Sequence, residues 1–113
     1  MIHRILVASY TDSLVTLAFD PEHRSLESLS SITVGKNPSW IIAHPRNRST
    51  VYAALEQIDG RVVTLVFDDG GTLMGLRDGV SSGGQDPVSL AVVDDTLLVC
   101  NVRYLSRHCP FRV

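Results

Sequence analysis

The sequence predicts an all-β protein built from a repeated four-stranded unit. Residues 35–40 read GKNPSW, and residues 84–89 read GQDPVS, 49 positions later. A second phrase, VTLAFD at residues 15–20, returns as VTLVFD at residues 63–68, 48 positions later. Self-similarity at a period of about 50 residues indicates a repeat architecture. Turn signals such as Asp59-Gly60 separate short apolar runs, so each repeat is predicted to be a set of strands.

The strands of this repeat have two apolar faces. Val63, Leu65 and Phe67 share one face of their strand, and the other face holds Val62 and Val66. Each sheet must therefore be covered on both sides, as a β-propeller blade is. A β-sandwich also has short strands, but it would not repeat whole phrases at a fixed spacing. A seven-bladed ring of this period would need roughly 340 residues, so 113 residues supply about two blades.

The predicted strands of the complete unit lie at about residues 40–43, 51–56, 61–67 and 73–80. Pro38 and Pro87 stand just before the first strand of their units, where a missing N–H is tolerated. The whole chain predicts nine strands and no long helix. Three strands belong to a first blade, four to a second and two to a third.

Residues 20–34 admit two interpretations. Asp20 followed by Pro21 could begin a helix that continues through Leu26 and Leu29. The equivalent place in the next unit, residues 68–73, contains two glycines and favours a hairpin loop. Because copies of a repeat share structure, we predict a strand over residues 26–34.

Composition limits the classes of function. The net charge is −2, so no basic field is available to attract nucleic acid or an anionic membrane. The first apolar run, residues 5–8, is shorter than a signal-peptide core and no later run could span a bilayer, so a cytoplasmic protein is expected. The two cysteines lack zinc-ligand spacing, and we expect neither a metal site nor a disulfide. Cys100, in an apolar run, is expected to be a small buried side chain.

Several phrases resemble the N-terminal part of one enzyme family. They are LVASYTD at residues 6–12, NPSW at 37–40, HP at 44–45, and LEQ at 55–57 followed by DG at 59–60. In this order they are similar to the seven-bladed propeller lactonases, also called the 6-phosphogluconolactonase, carboxy-cis,cis-muconate cyclase or cycloisomerase 2 family. The fungal branch is most similar. The resemblance runs from about residue 5 to residue 101.

The resemblance implies a hydrolase of carbohydrate metabolism that acts on a small-molecule lactone such as 6-phosphogluconolactone, with no metal or organic cofactor. It leaves open a muconate-type lactone cyclase. Since a fold does not fix a function, a propeller that binds or supports partners without chemistry is also left open.

The candidate site residues lie in loops that are expected to meet at one end of the blades, at residues 10–13, 35–39, 56–59 and 84–88. Lactone hydrolysis needs an activated water and a group that stabilises the oxyanion. Glu56, at the end of an apolar strand, is the candidate catalytic residue, either as a base or as a hydrogen-bond partner. Its alternative is a solvated loop acid. Tyr10, Gln57 and Asn101 are candidate substrate-binding residues.

Other notable residues have structural explanations. His44 is expected to cap a turn at the opposite end of the blades. Trp40 is expected to pack between blades, with stacking on a ligand as its alternative. The acidic pairs at residues 68–69 and 94–95 are expected to be turn residues, since they lack the spacing of a calcium site.

The last eleven residues depart from the family. Residues 103–113 hold three arginines and no acid, and they show no clean alternation. We therefore expect a propeller part at residues 1–102 and a divergent tail at 103–113. An altered reading frame or a retained intron explains such a tail, and a genuine short tail is the alternative.

Two properties of the isolated chain are expected. Neither face of the first blade is polar, because Val15 and Leu17 alternate with Leu14 and Ala18, so poor solubility or aggregation is expected. An open third of a ring cannot exclude water from a site, so no lactone turnover is expected. Lys36 is a cation near the expected site and Arg61 is a further candidate for binding a phosphorylated acid.

Overall fold

The computed structural model describes residues 1–104 and 111–112 of the chain. These residues form ten strands, and among them no helix is long and apolar enough to cross a membrane. The strands are β1 (His3–Ala8), β2 (Ser13–Asp20), β3 (Ser25–Thr33), β4 (Pro38–His44), β5 (Asn47–Leu55), β6 (Arg61–Phe67), β7 (Leu73–Ser81), β8 (Gly84–Val93), β9 (Thr96–Tyr104) and β10 (Phe111–Arg112).

The strands form three antiparallel sheets, which we call blades 1, 2 and 3. Blade 1 has the order β1-β2-β3, blade 2 has β4-β5-β6-β7 and blade 3 has β10-β9-β8. The predicted propeller fragment, one complete blade between two incomplete ones, is confirmed. The difference is a tenth strand, because Phe111 and Arg112 pair with the start of β9. The boundary between residues 102 and 103 stays a prediction, and residues 105–110 and 113 of the tail lie outside the described residues.

The strand registers show which strand blade 1 lacks. Val15 on β2 pairs with Val7 on β1, just as Val63 on β6 pairs with Ala53 on β5. Because residues 15–20 and 63–68 are the repeated phrase, β2 corresponds to β6 and β1 to β5. Blade 1 therefore has no equivalent of β4 among the described residues.

Two apolar cores join the blades, one on each side of blade 2. Between blades 1 and 2 the buried residues are Leu14, Val34, Ala53, Leu55, Val63 and Leu65. Between blades 2 and 3 they are Tyr52, Ala54, Val62, Leu90, Leu97 and Val99. Alternate residues of β5 point to opposite cores, which confirms that both faces of this blade are covered. Burial of apolar surface at these two interfaces is the main force that stacks the blades.

Residues 26–34 form a strand as predicted, since β3 spans Ser25–Thr33. Asp20 does cap backbone groups, accepting hydrogen bonds from the N–H groups of Glu22 (3.0 Å) and His23 (3.3 Å). These bonds close the turn between β2 and β3. Arg24, with a φ of 53°, adopts a left-handed conformation that a right-handed helix excludes.

Four residues differ from the sequence expectation. Pro38 is the first residue of β4 and does not precede it, a position where proline is tolerated. Pro87 lies inside β8 and not before it, at an irregularity in the register between Pro87 and Ser89. It is tolerated because β8 pairs on one side, with β9. Trp40 on β4 is 44% exposed, so it packs between blades only in part. The expectation of a buried Cys100 is wrong, since this side chain is exposed on the face of blade 3 that points away from blade 2.

Candidate functional site

Four loops meet at one end of the three blades, which we call the loop end. The carbonyl oxygen of Thr11 accepts a hydrogen bond from the N–H of Asn37 (2.7 Å), which links blades 1 and 2. The Asn37 carbonyl accepts one from the N–H of Glu56 (2.8 Å). The Gln57 carbonyl accepts one from the N–H of Asp86 (3.0 Å), which links blades 2 and 3. The prediction that these four loops share one end of the blades is confirmed.

The repeated Gly-x-(Asn/Asp)-Pro phrase builds these links. Asn37 and Asp86 both adopt the left-handed conformation, with φ of 54° and 53°, which Asn and Asp tolerate better than most residues. Gly35 has a φ of 129°, and a Cβ placed on it would lie 2.6 Å from a methyl of Leu55. The phrase therefore recurs because two successive blades start with the same backbone contact to the loop end of the preceding blade.

The opposite end of the blades consists of turns stabilised by their own side chains. The Nδ1 atom of His44 accepts a hydrogen bond from the N–H of Arg46 (3.1 Å), which confirms the turn-capping role predicted for this histidine. Asp68 similarly accepts one from the N–H of Thr72 (2.8 Å), as expected for a turn residue. Arg46 and Asp95 form an ion pair of 2.7 Å between blades 2 and 3, and both side chains are mostly exposed.

Glu56 lies at the loop end, directly after β5, and its side chain is half-buried. Its Oε2 atom is buried and has no hydrogen-bond partner among the described residues. A buried carboxylate oxygen without a partner is unfavourable, because the desolvation of a charged group is not compensated. The carboxylate is therefore available to accept a hydrogen bond from a ligand or a water molecule.

Tyr10, in the blade 1 loop, lies beside Glu56. The Glu56 carboxylate, first as a hydrogen-bond acceptor and second as a negative charge, raises the pKa of the Tyr10 phenol above its ordinary value. The tyrosine side chain itself is 69% exposed. At neutral pH it therefore keeps its proton and presents a hydroxyl donor at the surface of the loop end.

The other two candidate residues have different surroundings. The Gln57 amide donates a hydrogen bond to the carbonyl of Asp59 (2.9 Å), within its own loop. Asn101 is buried on β9, where its Oδ1 accepts a hydrogen bond from the Ser82 hydroxyl (2.7 Å) and its Nδ2 donates to the Ser82 carbonyl (3.0 Å). The structure thus brings Tyr10 and Glu56 together, while Asn101 lies in a network between blades 2 and 3.

Lys36 is exposed in the loop that precedes β4, at the same end of the blades as the Tyr10–Glu56 pair. Arg61 is engaged elsewhere, in an ion pair with Asp59 (3.0 Å) and a hydrogen bond to the Gly79 carbonyl (3.0 Å). Of these two cations, Lys36 is the one that the described part of the chain leaves free to bind a phosphorylated ligand at the loop end.

Asp20, Glu22 and His23 place three potential metal ligands within 4.8 Å of one another in the β2–β3 turn. This turn lies at the opposite end of blade 1 from Tyr10. The Asp20 carboxylate is 2.7 Å from Nδ1 of His23, and this contact, with backbone N–H groups, lowers the pKa of Asp20. Turn stabilisation accounts for the cluster without an ion.

Sequence reasoning did not assign two residues that organise the loop end. The Asn37 side chain donates a hydrogen bond to the Glu56 carbonyl (3.1 Å) and so fixes the backbone of the candidate acid. Ser82, fully buried, donates its N–H to the Gly60 carbonyl (2.8 Å) and connects that loop to Asn101. The repeated Asn-Pro and Asp-Pro dipeptides carried a signal for Asn37. Ser82 is a serine between two glycine-rich turns, and no sequence pattern there indicated its role.

Comparison with known proteins gives the family. The profile of the lactonase family, described as a seven-bladed β-propeller, matches residues 4–108. A solved structure of a proposed 6-phosphogluconolactonase from Bacteroides uniformis is 26% identical with a TM-score of 0.75, and the match covers 88% of this chain and 30% of that one. A second, from Bacteroides fragilis, is 26% identical with a TM-score of 0.76, and the match covers 88% of this chain and 29% of that one. No curated protein with a similar sequence is found.

These matches confirm the family predicted from the sequence. The chain spans less than a third of either solved structure. Because the family profile covers nearly the whole chain, this protein belongs to the seven-bladed β-propeller lactonase family, of whose ring it forms one complete and two incomplete blades.

Proposed function

We propose that this chain contributes part of the substrate site of a lactonase that opens a sugar-acid lactone such as 6-phosphogluconolactone. The reaction adds water to the lactone carbonyl and breaks the ring C–O bond, which gives the free acid. The family supplies the reaction class. The observation that supports a site at the loop end is the buried Oε2 atom of Glu56, which lacks a partner among the described residues.

The chemistry of the pair fits a sugar-acid ligand. An ionised carboxylate accepts hydrogen bonds and cannot donate them, so Glu56 would take the proton of a substrate hydroxyl or of the attacking water. The Tyr10 phenol, which keeps its proton, would donate to a ring or carboxyl oxygen. The phosphate needs more positive charge than Lys36 provides, so the other groups that bind it would belong to further blades of the ring.

The isolated chain is proposed to bind weakly and to have no turnover. Three blades leave the site open to water, and a misplacement of about 1 Å can lower a rate on the order of a hundredfold. The compartment proposed for the longer protein is the cytoplasm, because a charged phosphorylated lactone does not readily cross an apolar barrier.

Backbone amide NMR of the ¹⁵N-labelled chain during titration with 6-phosphogluconate tests the site. We expect shifts at Asn37, Glu56 and Gln57. In a Glu56→Gln variant the hydrogen bond to a charged acceptor becomes one to a neutral acceptor, so binding should weaken about five- to tenfold. His44→Ala, at the opposite end of the blades, is the matched control and should leave the affinity unchanged. Shifts confined to residues near His44 would contradict the proposal.

Acid release from 6-phosphogluconolactone and simple δ-lactones, compared with a buffer blank, tests the absence of turnover. We expect equal rates for the chain and the blank. Turnover above the blank that disappears in Glu56→Gln would show that a working site fits within these blades, and it would make Glu56 a catalytic residue.

A further inference from the structure

Asn37 binds both main-chain polar groups of Glu56. Its carbonyl accepts a hydrogen bond from the Glu56 N–H (2.8 Å), and its side-chain Nδ2 donates one to the Glu56 carbonyl (3.1 Å). The N–H belongs to the planar peptide unit before the Glu56 Cα, and the carbonyl belongs to the unit after it. The two bonds together therefore restrain both backbone dihedrals of Glu56. They set the direction of the Cα–Cβ bond from which the carboxylate extends.

The same residue is tied to the loop that carries Tyr10. The Asn37 N–H donates a hydrogen bond to the carbonyl of Thr11 (2.7 Å), the residue that follows Tyr10. The Asp12 carbonyl accepts two more, of 2.9 and 3.2 Å, from N–H groups of the segment that precedes Asn37. Asn37 thus connects the backbone that carries Tyr10, in blade 1, to the backbone that carries Glu56, in blade 2.

The Glu56 side chain is not anchored at its buried oxygen. The Oε2 atom has no hydrogen-bond partner among the described residues. Because a charged group that is desolvated without a partner is unfavourable, the carboxylate has a tendency to turn toward water. A restraint on the Glu56 backbone opposes this tendency, since it limits the positions that the side chain can reach.

Blade 3 contains the same backbone link without the side-chain bond. Asp86 occupies the position of Asn37 in the repeated phrase, and the φ angles are 53° and 54°. Its N–H donates to the Gln57 carbonyl (3.0 Å), as the Asn37 N–H donates to the carbonyl of Thr11. An aspartate carboxylate accepts hydrogen bonds and does not donate them, so Asp86 cannot reproduce the bond that the Asn37 amide makes.

The donating amide accompanies the acid. In blades 2 and 3, the residue that pairs with the proline of the repeated phrase is followed by Glu56 and Val102, respectively. Asparagine therefore precedes the proline in the blade that carries a carboxylate at this strand end. Aspartate precedes it in the blade that carries a valine there.

We infer that Asn37 is the positioning residue of the Tyr10–Glu56 pair, and that its amide holds the Glu56 carboxylate within reach of the phenol and of a ligand. The importance of this pair for a lactone rests on the function proposed above. A misplacement of about 1 Å in a site can lower a rate on the order of a hundredfold, so a residue that fixes the pair affects the chemistry without touching the substrate.

Site-resolved titration of Tyr10 tests this role, because the pKa of the phenol responds to the carboxylate beside it. ¹³C NMR of the tyrosine Cζ atoms separates the three tyrosines, and Tyr10→Phe assigns the signal. Asn37→Gly removes the amide, and glycine adopts the left-handed conformation at no steric cost. We expect the Tyr10 midpoint to fall from its raised value toward the ordinary value of 10.0.

Two controls separate positioning from a general loosening of the loop end. Asp86→Gly removes a side chain from the equivalent left-handed position of blade 3 and should leave the Tyr10 midpoint unchanged. In the Glu56→Gln background the charge that raises the pKa is already absent. Asn37→Gly should therefore cause no further fall there, because a positioning residue acts through Glu56.

Three results would overturn the inference. An unchanged Tyr10 midpoint in Asn37→Gly would show that the amide does not position the pair. An equal fall in Asp86→Gly would show that the loop end loosens as a whole. A fall that persists in the Glu56→Gln background would show that Asn37 affects Tyr10 by another route.

Titration with 6-phosphogluconate distinguishes failure of this inference from failure of the proposed function. If the wild-type chain shows no ligand-induced shifts at the loop end while the Tyr10 midpoint responds as expected, the role of Asn37 in the pair stands and the proposed function alone fails. If the ligand binds and the midpoint does not respond to Asn37→Gly, the proposed function stands and the positioning role fails.

Discussion

Replacing Asn101 with leucine should destabilise the junction between blades 2 and 3. Leucine has nearly the same shape as asparagine but removes both hydrogen bonds to Ser82, of 2.7 and 3.0 Å. Each bond contributes about 0.5–1.5 kcal/mol net, and a buried carbonyl left without its donor costs about 1–3 kcal/mol. Part of this loss is offset by the added apolar burial. The expected decrease in the free energy of unfolding is about 2–3 kcal/mol.

Urea unfolding followed by the fluorescence of the single tryptophan, Trp40, measures this change. The protein concentration is held fixed, since association would shift the apparent stability. Ser82→Ala and the double variant complete a cycle, in which the double variant should cost about 1 kcal/mol less than the sum of the single variants. An unchanged urea midpoint for Asn101→Leu would refute a structural role for this pair, and strict additivity would refute the coupling.

Two further predictions concern the core and the loop end. Leu65→Ala, at a fully buried position between blades 1 and 2, should lower the free energy of unfolding by about 2–5 kcal/mol. The control Leu76→Ala, at a 43% exposed position, should change it by less than about 1 kcal/mol. Equal effects of the two substitutions would contradict the assigned core. Phenolate absorbance should show Tyr10 titrating above the ordinary value of 10.0, and Glu56→Gln should lower that midpoint. Because the pKa of Tyr10 is raised in the folded state, the interaction between Tyr10 and Glu56 stabilises the fold below the unfolded-state pKa of the phenol. This stabilisation is lost as the pH rises through the folded-state pKa. A midpoint that does not respond to the Glu56 substitution would show that the two side chains do not interact.

The repeat made most of the fold predictable, because two apolar strand faces and a fixed period admit few arrangements. Strand details were less predictable. Pro87 entered β8 because that strand pairs on one side, and pairing partners are not a local property of the sequence. Cys100 was expected to be buried because its run is apolar, but burial depends on whether a neighbouring blade covers that face.

The site was predictable to the level of single residues but not of their contacts. Glu56 stood out as an acid at the end of an apolar strand. Its proximity to Tyr10 joins two different blades, and no local pattern encodes it. The registers explain it afterwards: Ala8 pairs with Leu14 as Ala54 pairs with Val62, so Tyr10 and Glu56 follow equivalent strand ends in adjacent blades.

The links at the loop end are made largely by main-chain atoms. The Thr11, Asn37 and Gln57 carbonyls accept from backbone N–H groups, and neither Tyr10, Lys36 nor Ile58 contributes a side chain to these links. Main-chain bonds survive most substitutions, so the exposed side chains of this rim can diverge without loosening the stack of blades. Substitutions on this rim can thus change the chemistry that the loop end presents while leaving the stack of blades intact.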